Sequence, residues 1–286
     1  METWPKEINC ARGIEDMKDA ITMFFQYSRV TMKSWFQYRV DAILRSLAVF
    51  LREATGIISI VLVLTKFDVN GINGWNVDEL VFLYSFLFST YGILIIFFTG
   101  LLDFEKTIQN GTFDRFLLRP RGVLFQIIAS DADWFAAVGH GTLGIILFLY
   151  AISRIDVDWN FGNILYLVTA FIGAILIQGA IFLFFASLGF YFVKANNVHG
   201  VLFWNLRNIA GYPISIFPKI IQYMLMYVMP FAFVNYFPAQ YLLRNEDLIY
   251  YPEVYLYLTP LIGIVMYLSA YCFWRMAIKH YKSTGN

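Results

Sequence analysis

The chain has 286 residues, of which 59% are hydrophobic, 19% are aromatic and only 14% are charged. This composition is too apolar for a soluble domain, and it indicates a membrane protein. The formal net charge of +1 excludes the strongly basic class of protein that binds nucleic acid, so no nucleic-acid partner is expected.

The first predicted element is an amphipathic helix over residues 16–39, with the sequence DMKDAITMFFQYSRVTMKSWFQYR. Apolar and aromatic side chains recur in it at roughly helical spacing, while lysine and arginine supply the polar side. This pattern is typical of a helix that lies in the cytoplasmic interface of a membrane and leads into the first span. The alternative is a helix that packs against a partner protein.

Six later segments are long and apolar enough to cross a bilayer, for which a helix needs roughly 20 residues. The sequence therefore predicts an all-α polytopic membrane protein in which residues 1–286 form a single transmembrane domain. The predicted spans are about 40–64, 80–99, 133–152, 163–192, 217–236 and 257–277.

Lysine and arginine alternate between the connections in the way that the positive-inside rule describes. They collect in the amino-terminal segment, in the 100–132 connection, in the 193–216 connection with Lys194 and Arg207, and in the tail. The other connections carry more acidic than basic residues. This alternation predicts that both termini are cytoplasmic.

Four polar residues are predicted at membrane depth, namely Arg52, Glu53, His140 and Gln178. A charged side chain there costs about 3 kcal/mol on insertion scales, so such residues are functional candidates. Arg52 and Glu53 either lie at a subunit interface or pathway, or Arg52 snorkels inward while Glu53 pairs with a neighbouring helix. His140 could carry protons, but the glycines around it favour close helix packing, and the same holds for Gln178.

Five prolines between residues 213 and 252, among them Pro230 and Pro238, interrupt an apolar region that cannot form one plain helix. Broken backbone at membrane depth persists only where protein buries it or where it faces a cavity. Residues 237–256 are therefore predicted to form an outer re-entrant segment, or a cap of short helices over an exit.

Residues 103–120, DFEKTIQNGTFDRFLLRP, predict two short helices on the cytoplasmic side. Asp103 can cap the first helix, and Gly111 can end it in a left-handed turn. Thr112 can cap the second helix, and Pro120 stops it.

The second of these helices would place Phe113, Phe116 and Leu117 along one face, with Asp114 and Arg115 directed elsewhere. A short helix with an apolar stripe and mixed charge is a good docking element. The alternative is that the charges merely anchor the loop in water and at lipid headgroups.

No catalytic or metal site is predicted. The histidines, His140, His199 and His280, fall on different segments, and the sequence contains no CxxC or HExxH motif. It also contains no G-x-x-x-x-G-K-[ST] motif, so ATP, if it is used, must be bound by another polypeptide.

The stretch from Gly111 to Pro120, with Asp114 and the run FLLRP, resembles a motif of the permease subunits of type-2 ABC exporters, in particular a bacterial six-span subgroup. The stretches FWNLRNIAGYPISIFP at 203–218 and MPFAFVNYFPAQYLL at 229–243 fit the same family, so the resemblance covers nearly the whole chain. It implies that residues 103–120 contain a coupling helix that sits in a groove of an ATPase subunit. The residues implied in that contact are Phe113, Asp114, Arg115, Phe116, Leu117, Leu118 and Arg119.

The resemblance also implies an assembly and a function. Two ATPase subunits would bind ATP and Mg²⁺ beside two permeases, the second of which is either different or identical, in a bacterial cell membrane. The cargo would be an amphipathic or hydrophobic compound, such as a drug, a peptide or a lipid-like molecule, moved outward by alternating access. The alternatives are a secondary transporter that works without ATP and a membrane scaffold.

Overall fold

The computed structural model describes residues 12–66, 74–102, 104–192, 195–244 and 251–281. The longer helices are α1 (Arg12–Gln37), α2 (Arg39–Lys66), α3 (Val77–Phe98), α7 (Trp134–Ile152), α8 (Phe161–Leu188), α9 (Ala195–Ala210) and α12 (Thr259–Ala277). The shorter ones are α4 (Phe104–Gln109), α5 (Asp114–Leu117), α6 (Val123–Ser130), α10 (Lys219–Tyr223) and α11 (Tyr236–Leu243). The predicted all-α fold is confirmed for the described residues.

Helix α3 lies at the centre of the bundle. It packs against both α7 and α8, while α7 also packs against α2 and α8 against α12. Every residue from Leu80 to Gly92 is buried. A helix that is apolar on all sides takes such a position because it has no polar face to direct towards water.

Four helical segments in the described part of the chain are long and apolar enough to cross a membrane. They correspond to α3 with the turns that follow it, α7, α8 and α12, and a fifth span arises if the bent pair around residue 230 is counted as one. The predicted first span, 40–64, lies within the single helix α2. The structure thus supports a multi-pass membrane protein, and the count of six spans stays a prediction.

The predicted interface helix over residues 16–39 is present as α1. It contacts α2 and α6, and several of its large apolar side chains are exposed, among them Ile21, Phe25, Val30 and Phe36. Its position at a membrane surface stays a prediction.

Side-chain caps account for where three of the long helices begin. Asn76 accepts a hydrogen bond from the Glu79 backbone N–H at 2.9 Å, and the Glu79 carboxylate accepts one from the Asn76 N–H at 2.9 Å, which is a capping box at the start of α3. Asp133 caps α7 by accepting from the Ala136 N–H at 2.9 Å, and Asn160 caps α8 in the same way.

The 193–216 connection contains a helix that the sequence analysis did not predict. This helix, α9, runs from Ala195 to Ala210 and packs against α8 and against the turn Phe231–Phe233. Phe203, Leu206 and Ala210 are buried on one side of it. The segment therefore belongs to the packed body of the protein.

The chain breaks inside the predicted fifth span, 217–236, and not after it. Helix α10 continues as a π-helical turn, Met224–Val228, which ends just before Pro230, and α11 then leaves at an angle of 74° to the first half. Proline causes the break because it has no N–H to donate and its ring blocks the preceding turn. Pro238, in contrast, lies in the first turn of α11, where proline is tolerated.

Buried side chains satisfy backbone carbonyl groups around this break. The Asn235 amide donates to the carbonyl oxygen of Leu83 in α3 at 3.2 Å and to that of Ala210 in α9 at 2.7 Å. The Thr259 hydroxyl donates to the carbonyl oxygen of Phe233 at 2.8 Å. These bonds give acceptors to the Asn235 amide and the Thr259 hydroxyl, which are fully buried and would otherwise be costly to desolvate. Of the predicted region 237–256, residues 245–250 lie outside the described residues.

Glycine permits the closest helix approaches. A Cβ atom on Gly144 of α7 would lie 2.5 Å from the backbone nitrogen of Ser89 in α3. A Cβ atom on Gly263 of α12 would lie 2.5 Å from the carbonyl oxygen of Gly173 in α8. The backbones of these pairs approach so closely that no side chain fits between them.

Replacement of Gly144 by alanine is expected to destabilise the α3–α7 crossing, because overpacking costs about 1 to 3 kcal/mol. Gly141→Ala is the matched control in the same helix, since its added Cβ would meet no neighbouring atom within 4 Å. Thermal unfolding of the purified variants in detergent should give a lower midpoint for Gly144→Ala alone. A wild-type midpoint for Gly144→Ala would contradict the close crossing.

Candidate functional site

A buried carboxylate lies beside basic side chains from three helices. Glu53 lies in α2 with its side chain 8% exposed. The Arg52 Nη2 atom lies 2.6 Å from Glu53 Oε1, the Arg207 Nη1 atom of α9 lies 3.8 Å from Oε2, and the His140 Nδ1 atom of α7 lies 3.6 Å from Oε1. Because a buried carboxylate is costly unless it is paired, these contacts explain how α2 can hold Glu53 inside the bundle.

Arg207 is the most deeply buried charge of this cluster, with a side chain 1% exposed. Its guanidinium carbon lies 4.0 Å from the ring centre of Tyr91 and 4.4 Å from that of Phe88, and the ring of Trp204 is 5.5 Å away. These distances are those of cation–π contacts, which stabilise a desolvated guanidinium group.

His140 of α7 contacts the charged cluster around Glu53, and it lies close in sequence to the glycines at which α7 approaches α2 and α3. Its ring meets the Tyr91 ring edge to face at 4.8 Å. On either side of it, Cβ atoms on Gly139 and Gly144 would overlap with α2 and α3. The close packing of α7 is what brings His140 to Glu53.

A cavity of about 470 Å³ opens beside the cluster. Arg207 and Glu53 line it together with four aromatic rings from α3, α9 and the following turn, and Tyr84 donates a hydrogen bond from its hydroxyl to the Glu53 carbonyl oxygen at 3.0 Å. The lining residues are Arg52, Glu53, Gly56, Tyr84, Phe88, Trp204, Arg207, Asn208, Gly211 and Tyr212. A cavity of this size that combines aromatic walls with charged and polar groups falls within the range of small-molecule sites.

Gln178 lies outside this site. It is fully buried between α8 and α3, where its amide donates to the Thr90 hydroxyl at 3.0 Å. Its position fits the packing interpretation, since polar side chains that bond across two helices hold such pairs together in membranes.

The sequence analysis missed the role of Arg207, which it counted as a cytoplasmic loop cation. Its spacing carried a usable signal, because Phe203, Leu206, Arg207 and Ala210 follow the i, i+3, i+4, i+7 pattern of a buried helix face. All four are buried in the structure. An arginine in the buried register of a helix indicates an internal partner, which here is Glu53.

The 103–120 loop forms a second candidate site. It contains α4 and α5, joined at Gly111, whose φ of 67° confirms the predicted left-handed turn. Asp103 lies outside the described residues. The predicted cap of α5 by Thr112 is wrong, because α5 begins after Phe113 without a side-chain cap, and the Thr112 hydroxyl donates to the Thr107 carbonyl oxygen at 3.0 Å.

The loop has an internal aromatic anchor. Phe113 is completely buried, and its ring lies 5.5 Å from that of Phe104, 5.4 Å from Phe190 and 4.6 Å from Tyr281. The Tyr281 hydroxyl, just beyond α12, donates to the Asp114 carboxylate at 2.8 Å. Phe113 and Asp114 therefore hold the loop to the ends of α8 and α12.

The other predicted contact residues lie nearer the surface. Leu118 is 86% exposed and Leu117 is 40% exposed, while Phe116 is half-buried. Arg115 is exposed, and Arg119, also exposed, donates from Nη1 to the Tyr27 hydroxyl of α1 at 3.2 Å. The loop thus divides into an inner anchor and an outer surface that residues 117–119 dominate.

Comparison with protein families gives one match. The model of a family described as "ABC-2 family transporter protein" matches residues 50–285, which include both candidate sites. Searches of curated proteins and of solved structures give no match.

Glu53→Gln should strongly destabilise the protein, because it leaves Arg207 buried beside a neutral amide. Removal of one partner of a buried ion pair costs about 3 to 5 kcal/mol. The matched control is Asp158→Asn, which breaks the exposed pair with Arg244 at 2.9 Å and should cost about 0 to 1 kcal/mol. Thermal unfolding in detergent compares the two.

The double variant Glu53→Gln with Arg207→Met should unfold at a higher temperature than Glu53→Gln alone, because it removes the unpaired charge as well. A wild-type unfolding temperature for Glu53→Gln would show that the cluster does not stabilise the fold.

Proposed function

The chain belongs to the ABC-2 family of transporter proteins, and on that premise we propose that it is the permease subunit of an ATP-driven exporter. The sequence has no P-loop, so ATP and Mg²⁺ bind to a separate ATPase chain. Two ATPase subunits and two permeases, the second one identical or different, form the assembly. It works in a bacterial cell membrane with both termini in the cytoplasm.

The contrast between two residues of the 103–120 loop carries this proposal. Leu118 presents an apolar side chain that is 86% exposed, whereas Phe113, five positions earlier, is completely buried. An exposed apolar side chain on a firmly packed base is a good contact for another protein. Because the packed base already orders the loop, little conformational entropy is lost when the side chain binds. We assign the ATPase contact to Arg115, Leu117, Leu118 and Arg119, with Phe113, Asp114 and Phe116 as the base.

The base also connects the docking surface to the spans. Phe104, Phe113, Phe190 and Trp274 pack on one another, with ring centres 5.1 to 5.5 Å apart in the contacts among them. A displacement of the loop is transmitted through these rings to α8 and α12, because packed aromatic groups do not compress. The cargo, an amphipathic or hydrophobic compound, then moves through alternating access between the two permeases.

One observation favours a second candidate function, an ATP-independent secondary transporter. Glu53 and His140 form a buried ionisable pair at 3.6 Å, and such pairs at membrane depth serve as proton relays in transporters. Export driven by a separate ATPase remains our proposal because the exposed loop has no use in a transporter of that kind.

Leu118→Asp should reduce the amount of ATPase subunit that copurifies with the tagged chain from native membranes by about tenfold or more, because it places a charge at the centre of an apolar contact. Yield and gel-filtration profile of the variant should match the wild type, since the side chain is exposed. If the variant retained the full amount of ATPase subunit and still stimulated its ATP hydrolysis, the loop would not be part of the interface. The absence of any ATPase beside the wild-type chain would remove the exporter function itself.

Asp114→Ala and Tyr281→Phe should lower transport to a similar modest extent, because each removes the hydrogen bond from the Tyr281 hydroxyl to the Asp114 carboxylate, worth about 1 kcal/mol. Transport of a labelled cargo by reconstituted complexes is the measurement. A much larger loss in Asp114→Ala than in Tyr281→Phe would show that the carboxylate itself contacts the ATPase.

A further inference from the structure

The cavity beside Glu53 has an excess of positive charge. Arg52 and Arg207 both line it, and Glu53 is the only acidic residue among its lining residues. Two guanidinium groups therefore face one carboxylate.

Arg207 has unused donors. Its Nε and Nη2 atoms are buried and have no hydrogen-bond partner among the described residues, and its Nη1 atom lies 3.8 Å from Glu53, which is too long for a hydrogen bond. Buried polar groups are nearly always hydrogen-bonded, and an exception indicates a missing partner. A guanidinium group with two free N–H directions matches the oxygens of a carboxylate, phosphate or sulfonate group.

The walls indicate the rest of the ligand. Tyr84, Phe88, Trp204 and Tyr212 supply aromatic surface, and Gly56 and Gly211 leave room between them. The volume of about 470 Å³ falls within the range of small-molecule sites, roughly 300 to 1,000 Å³. Aromatic walls favour an apolar or aromatic body on the bound molecule.

We propose that this cavity binds an amphiphile with one anionic headgroup on an apolar or aromatic body, and that Arg207 recognises the headgroup. As a statement about cargo, this proposal rests on the export function proposed above, and it narrows the cargo to anionic amphiphiles. A cationic amphiphile is disfavoured because two guanidinium groups, those of Arg52 and Arg207, already line the cavity. The anion belongs either to a free solute or to an anionic lipid.

The first experiment uses three probes that share one body, namely 1-pyrenebutyrate, 1-pyrenebutanol and 1-pyrenebutylammonium. The protein is reconstituted in nanodiscs of phosphatidylcholine, and pyrene binding is followed by quenching of tryptophan fluorescence, corrected with empty nanodiscs. The carboxylate should bind at least tenfold more tightly than the alcohol, and the ammonium probe should bind most weakly.

Substitutions then locate the headgroup. Arg207→Gln should reduce the preference for carboxylate over alcohol to about twofold or less, whereas Arg154→Gln, which removes an exposed arginine of the α7–α8 turn, should leave it unchanged. Trp204→Phe should lower the amplitude of quenching and retain the affinity, because it keeps the aromatic wall. If Arg207→Gln does not fold, the comparison of probes on the wild-type protein decides alone.

A second arm identifies the source of the anion. Nanodiscs that contain phosphatidylglycerol should weaken pyrenebutyrate binding if a lipid headgroup is the natural occupant, and should leave it unchanged if the occupant is a free solute. Either result is consistent with the site. Equal binding of carboxylate and alcohol, or the same preference in a folded Arg207→Gln variant, would overturn the proposal.

The binding measurement needs neither ATP nor the ATPase, so the two proposals fail separately. A chain that prefers the carboxylate but never copurifies with an ATPase keeps the anion site and loses the export function. A chain that is coupled to an ATPase but binds all three probes equally keeps the export function and loses the anion site.

Discussion

The burial of one carboxylate constrains much of this structure. Glu53 can stay in the interior because arginines reach it from α2 and α9 and His140 of α7 lies beside it. For α7 to deliver His140, its glycines must let it approach α2 and α3 closely. For α9 to deliver Arg207, the segment after α8 must fold back into the bundle. The helix crossings and the charged cluster therefore depend on one another.

The two candidate sites are joined by the central helix. Tyr84 and Phe88 of α3 line the cavity, and Phe98 at the end of the same helix packs edge to face on Tyr267 of α12. The turn after α3 leads directly into α4, whose Phe104 contacts the anchor residue Phe113. Because α3 is buried from Leu80 to Gly92 and packs on α7 and α8, it cannot shift without moving both helices. Loop and cavity are thus connected through one rigid element.

Local signals in the sequence were sufficient for much of the fold. The lengths of the apolar runs predicted the positions of α3, α7, α8 and α12 to within a few residues. Gly111 predicted the left-handed turn that joins α4 and α5. Arg207 could not be assigned in this way, because counting charges in connections treats each arginine as exposed, and its burial depends on Glu53 more than 150 positions earlier. Pro230 predicted a break, but the direction of the chain after it depends on bonds to α3 and α9.

Those bonds come from a single side chain. Asn235 donates to the carbonyl oxygens of Leu83 and Ala210. The residues that follow these two in the chain, Tyr84 and Gly211, both line the cavity. One amide thus fastens the broken segment to two adjoining parts of the cavity lining, since a Cβ atom on Gly211 would lie only 3.1 Å from the Tyr84 ring. The bend at Pro230, the middle of α3 and the end of α9 are therefore held at one buried side chain, so the shape of the cavity lining depends on the same amide that fixes the direction of the chain.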